Sequence, residues 1–186
     1  MPRYTRALYE LTHPLDGHAH EVGIVEIYPK RRLDSQGRIK NLVPKDIQYK
    51  ISEKHNYFPF SRHTAINGVG KRSIRGTVLK KTITLGLATI WEAKSYSEDW
   101  FGRNTPLYHA QARDEPTMEW KDAKGEVVAI DTWPADHEGE EWNLEILVPL
   151  EKKMLDMMVA VWVARIFQET EKNGRVEEFQ RREQGE

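Results

Sequence analysis

Met157 through Ala164, Met-Met-Val-Ala-Val-Trp-Val-Ala, is an unbroken run of eight apolar residues near the C-terminal end of the sequence. The stretch from Leu150 to Phe167 contains neither Gly nor Pro, and Pro149 stands where helices tend to begin, so the segment is read as a helix over 150–167. A helix on a protein surface shows a polar face, and this one shows none. It must be enclosed. Asp156 and Arg165 are nine residues and about 900° of rotation apart, so they point to opposite sides. They are expected to mark two wet ends of the helix rather than to pair.

What encloses the helix is read from period-two alternation, the signature of half-buried strands. Ile47, Tyr49 and Ile51 alternate with Gln48, Lys50 and Ser52, and Trp142, Leu144, Ile146 and Val148 alternate with polar neighbours except at Leu147. A longer run carries Leu79, Ile83, Leu85, Leu87 and Trp91 on one face, with Gly86 suggesting a division into two strands. Met118–Trp120, the turn Asp122–Gly125 and Glu126–Ile130 read as a hairpin, and Val22–Tyr28 and Leu107–Ala112 are further strands. No internal repeat of fixed period is present. At 186 residues one domain is expected, over 1–172, followed by a charged tail, 173–186, expected to be disordered.

The sequence has no Cys, which excludes disulfides, thiolate metal sites and a Cys nucleophile and favours a reducing compartment. The first ten residues have no apolar run of signal-peptide length, and no stretch approaches the ~20 apolar residues that span a bilayer. A cytoplasmic location is expected, with the membrane periphery or the nucleus as further sites. The net charge of −1 hides an uneven distribution: residues 54–91 carry seven basic side chains and no acid, whereas 92–151 carry five basic and fifteen acidic ones. Such asymmetry steers anionic partners to one side of a molecule. The near-neutral balance argues against a general nucleic-acid binder.

Many short strands followed by one all-round hydrophobic C-terminal helix resembles the tubby C-terminal-like family, which includes the LURP-one-related proteins and the phospholipid scramblases. The resemblance covers the order of elements over about residues 8–168. It is carried by Met118-Glu-Trp-Lys-Asp-Ala-Lys-Gly-Glu-Val-Val-Ala-Ile130 and by Leu155-Asp-Met-Met-Val-Ala-Val-Trp-Val-Ala-Arg-Ile166. It implies a mainly β (α+β) fold, a closed antiparallel β-barrel of about twelve strands around the buried hydrophobic C-terminal helix. A lumen filled by a helix leaves little room for a deep ligand, so binding is expected on the outer surface and rim loops.

Lys71, Arg72, Arg75, Lys80 and Lys81 follow Gly68 and Gly70, and a Gly-flanked loop with Lys and Arg suits an anionic headgroup. These five are the expected lipid-binding residues, although Lys80 and Lys81 face opposite ways if they share one strand. The expectation is a non-catalytic domain that binds anionic, phosphoinositide-like phospholipid, or a protein partner, through this basic surface. The alternative is a small-molecule enzyme or ligand pocket on the same barrel, built from His63, His109 and Asp131. No nucleophile elbow supports a triad from Ser61 and these residues, and enzymatic activity is the lesser expectation. His18 and His20 form an H-x-H pair without a third ligand at a diagnostic spacing, so neither metal nor other cofactor is assigned.

Overall fold

In a computed structural model the alternating segments become ten strands and the apolar run becomes one helix. The structure describes residues 9–13, 15, 21–26, 47–55, 62–69, 73–83, 89–96, 105–114, 116–133 and 142–184, with helix side chains given through Thr170. The strands are β1 (Tyr9–Leu11), β2 (Glu21–Glu26), β3 (Ile47–His55), β4 (Arg62–Gly68), β5 (Thr77–Ile83), β6 (Thr89–Ser95), β7 (Thr105–Asp114), β8 (Thr117–Asp122), β9 (Val127–Thr132) and β10 (Asn143–Ile146). They form one antiparallel sheet in which every strand lies beside its sequence neighbours, in order from β1 to β10.

The run divided at Gly86 is two strands, β5 and β6, and the hairpin of residues 118–130 is β8 and β9. Its turn ends on Gly125 at φ +85°, a left-handed conformation that glycine adopts without a Cβ clash. Asp122 Oδ1 accepts the N–H groups of Lys124 and Glu126 and fixes the turn. Tyr49, Ile51, Ile66, Leu79, Trp91 and Trp120 occupy the inner face of the sheet, each at most 1% exposed.

The helix, α1 (Lys152–Gln184), lies against this inner face. It begins after Leu150 because Glu151 caps it: the Glu151 carbonyl accepts the N–H groups of Met154 and Leu155. Five strands reach it with polar contacts. Tyr9 of β1 donates to Asp156, Tyr108 of β7 donates to the Met154 carbonyl at 2.9 Å, and Thr64 of β4 donates to Gln168. Lys81 of β5 donates to Glu169 at 2.9 Å, and Asp131 of β9 accepts from Trp162 at 3.1 Å. The helix is therefore wrapped by the sheet, as an all-round apolar helix requires.

The sheet does not close, and the expectation of a sealed barrel of about twelve strands is corrected. Among the described residues β1 and β10 are both sheet edges and do not pair. Residues of both edges, Tyr9 and Leu11 on one side and Leu144 and Ile146 on the other, line a common cleft over α1. Edge strands of three and four residues offer few ladder hydrogen bonds, and the indoles of Trp142 and Trp162 stand in the gap.

A second correction concerns Arg165, which is no wet end. It is 2% exposed and meets the fully buried Asp131, whereas Asp156 pairs with Lys152 one helical turn earlier. Rotation about the helix axis correctly separated Asp156 from Arg165, but it could not reveal an acid brought in from β9.

Met157, fully buried against the sheet, and Val159, on the cleft side of the helix, give a direct test of the enclosure. Met157→Ala is expected to cost about 2–5 kcal/mol. Val159→Ala should cost clearly less, and urea unfolding midpoints would show the difference.

Candidate functional site

In a meander the connections alternate between the two ends of the sheet. The joins β2–β3, β4–β5, β6–β7, β8–β9 and β10–α1 leave from one end, and the other five from the opposite end. Among the described residues of the first set, taken through Lys153, Arg75, Lys124, Lys152 and Lys153 stand against Glu126 and Glu151, whereas those of the second set include no Lys, Arg, Asp or Glu. Strand topology thus gathers cations that lie far apart in the sequence at one, basic end. The N-terminus of α1, with its positive dipole end, lies at the basic one.

The same end carries exposed apolar side chains. Among the described residues the exposed large hydrophobics are Val69 (46%), Tyr96 (43%), Leu147 (45%) and Val148 (36%), and all four lie in joins of the basic end. Local geometry presents them. A Cβ on Gly68 would come within 2.4 Å of the Ile74 carbonyl oxygen, so only glycine lets the β4–β5 join fold back there. Ile74 N–H donates to the Tyr49 hydroxyl, and Tyr96 N–H donates to the carbonyl of Gly76, itself at φ +60°. Arg75, Lys124 and Lys153 are exposed on the β4–β5 join, the β8–β9 turn and the start of α1.

The expected basic patch is divided. Lys71 and Arg72 lie outside the described residues. Arg75 is exposed at the basic end, and Lys80 is exposed on the outer face of β5, in register with His63 and Glu92. Lys81 points inward, as its position next to Lys80 on a strand requires, and its ammonium sits 5.0 Å over the Trp91 ring while bonding Glu169.

His63, His109 and Asp131 do not converge. His63 lines a hollow with Asn67, Thr77 and Tyr96, His109 lines another with Ile90 and Pro106, and Asp131 faces α1 from inside the sheet. His18, His20 and Ser61 lie outside the described residues, among which no three His, Asp or Glu gather as a metal-binding group. No described helix is long and apolar enough to cross a membrane.

Two features went unread in the sequence. The first is the cleft between β1 and β10, with a volume of about 570 Å³. It runs beside the helix that was expected to leave little room for a deep ligand. Its helical wall, Leu155, Val159, Trp162, Ile166 and Thr170, recurs at spacings of four and three, so a stripe was present within an otherwise uniform run. The second is the set of exposed apolar residues at the basic end, for which the break in alternation at Leu147 was the available signal.

Beneath the cleft lies a charge pair held by indoles. Arg165 Nη2 is 2.5 Å from Asp131 Oδ2 in an ion pair, and the guanidinium carbon is 4.8 Å from the Trp142 ring and 5.4 Å from that of Trp133. Burial pushes the Asp131 carboxyl above the usual carboxylate range, while Arg165 and the indoles of Trp162 and Trp120 pull it back. Desolvating both ions costs several kcal/mol each, which their attraction and cation–π contacts of ~2 kcal/mol offset.

Comparison of this chain with family models, with curated proteins and with solved structures finds no match.

Removing one partner of the buried pair should cost more than removing both. Arg165→Met is expected to lose about 3–5 kcal/mol by stranding a buried carboxylate. Adding Asp131→Leu should recover most of that in urea unfolding. With its carboxyl raised on folding, Asp131 favours the folded state most at low pH. That contribution is lost as pH rises from the ordinary carboxylate range through the raised folded value. The stability of the wild type relative to Asp131→Asn should accordingly fall as pH rises above the ordinary carboxylate range, read from unfolding midpoints across a pH series.

Proposed function

We propose that this chain is a non-catalytic domain that docks on anionic phospholipid membranes through the end of the sheet where α1 begins. The single observation that carries this reading is the coincidence, at one end, of the four exposed large hydrophobics with exposed Arg75, Lys124 and Lys153. Each component alone is ordinary. Scattered apolar residues are common on surfaces, but a group of them beside cations suits a headgroup layer over hydrocarbon. A cation near such a surface gains about 1 kcal/mol, and Val69, Tyr96, Leu147 and Val148 add apolar contact that salt does not screen.

In this reading the contact surface comprises Arg75 and the rim residues, without Lys81, which is committed to Glu169 and Trp91. Lys80 lies on the sheet wall rather than the rim. A headgroup preference for phosphoinositides over other anionic lipids is part of the proposal and rests on the Gly-flanked join that carries Arg75.

Co-sedimentation with vesicles tests the reading. The wild type is expected to bind vesicles containing phosphatidylserine or phosphoinositide and to leave phosphatidylcholine vesicles in the supernatant. Arg75→Glu with Lys153→Glu should weaken binding several hundred-fold, since two contacts of ~1 kcal/mol each reversed in sign amount to about 4 kcal/mol. Val69→Asp with Tyr96→Asp should abolish the salt-resistant fraction, and Lys80→Glu should change little. Absence of binding to anionic vesicles, or binding indifferent to the rim substitutions, would end the proposal.

A further inference from the structure

The outer face of the sheet, on the far side of the strands from α1, carries a polar hollow across β4, β5 and β6. We infer that it binds the phosphate monoester group of a small molecule or of a lipid headgroup.

Strand register builds the hollow. Ala65 of β4 and Val78 of β5 lie directly opposite each other, and because they alternate with the inward-facing Ile66 and Leu79 both belong to the outer face. These short side chains make a low floor, where Ala65 is 1% exposed. Longer side chains stand around it. His63 and Asn67 lie two positions to either side of Ala65 on β4, and Tyr96 follows the last residue of β6, fixed beside β5 by its N–H donating to the Gly76 carbonyl at 2.7 Å. Lys80 is opposite His63 and Lys94 is opposite Val78, so each flanks the floor from its own strand.

Donors that face this floor are free to take a ligand. His63 Nδ1 is shielded from water and has no hydrogen-bond partner, an arrangement that favours any ligand able to supply one. Lys80 is exposed and makes no salt bridge among the described residues. Glu92, the acid in register with Lys80, accepts from Lys94 at 2.8 Å instead. Asn67 adds amide N–H groups and Tyr96 a hydroxyl, and no described Asp or Glu lines the hollow.

Charge and shape select the ligand. A cation is repelled by Lys80, and an apolar group leaves the donors unpaired. A carboxylate brings one charge and two oxygens in a plane, whereas a phosphate monoester brings about −1.5 to −2 charges and three acceptor oxygens. The donors stand on three adjacent strands, so they approach a group seated over Ala65 and Val78 from more than one plane. β4 and β6 are two strand spacings, about 9.6 Å, apart. One tetrahedral group bridges that gap with a charge-assisted hydrogen bond of about 2.8 Å on each side. The diester linkage of an ordinary phospholipid has fewer free oxygens and a single charge, and matches the hollow less well.

Tyr96 stands at the edge of both the hollow and the membrane-docking rim, but a soluble phosphate reaches the hollow without any vesicle, so failure of one binding mode is separable from failure of the other. Inorganic phosphate, titrated into the full chain at constant ionic strength against chloride, is expected to shift the His63 imidazole nitrogen resonances saturably at one site. Lys80→Glu and His63→Gln should each weaken that site about tenfold or more, the second read from the Asn67 side-chain amide. Lys121→Glu makes the same charge change on β8 and should leave the site intact, and Lys80→Gln serves if Lys80→Glu fails to fold. Vesicles of matched surface charge separate the sources. Preference for phosphatidylinositol monophosphate, which carries a monoester, over phosphatidylserine, which carries only a diester, assigns the group to a headgroup if Lys80→Glu removes the preference. A phosphate shift without that preference assigns it to a soluble molecule. Loss of vesicle binding with the phosphate shift retained counts against membrane docking alone. No saturable shift, or a shift unaffected in the folded Lys80 and His63 variants, overturns the inference even where phosphatidylserine vesicles still bind.

Discussion

An apolar helix with no polar face has to be covered, and the rest of this molecule is arranged around that requirement. A strand alternates its side chains, so each of ten strands can give one face to α1 and the other to its surroundings. The largest inner residues, Trp91, Trp120, Tyr49 and Tyr108, fill the space between sheet and helix, where Ala160 and Ala164 let the backbones approach. Polar contacts then fix the helix along its length. Tyr9 and Tyr108 hold its first turns, Thr64 and Lys81 hold the region near Gln168 and Glu169, and the Asp131–Arg165 pair sits between them.

Incomplete coverage gives the molecule its most specific surface. Were β1 and β10 paired, the stripe from Leu155 to Thr170 would be core like the rest of α1. Left open, it lines a mostly apolar cleft in which Tyr9, Trp162 and Thr170 are engaged in hydrogen bonds. The buried guanidinium of Arg165 lies against Trp142, so one wall of the cleft is braced by the charge pair below it.

Much of the architecture was legible in residue order because alternation and apolar runs are local properties. The strand pair divided at Gly86, the 118–130 hairpin and the buried helix follow from neighbouring residues alone. The fate of Lys81 was also implicit, since a residue beside exposed Lys80 on a strand must face inward. Barrel closure was not legible, because it depends on whether the two edges meet, and β1 and β10 are 133 residues apart between Leu11 and Leu144 on the cleft's two walls. The partnership of Arg165 with Asp131 was hidden for the same reason, and no helical rotation angle contains it.

The charge pattern shows where the two levels divide. Sequence by itself determined that a wholly basic stretch, 54–91, precedes a strongly acidic one, 92–151, and that an apolar helix must be enclosed. Only the tertiary structure decided that Arg75, Lys124 and Lys153, far apart in the chain, share one end, because a meander sends successive connections to opposite ends whatever their order. Likewise, composition supplied a uniform apolar helix, but the unmet edges of the sheet selected which stripe of it lines the cleft.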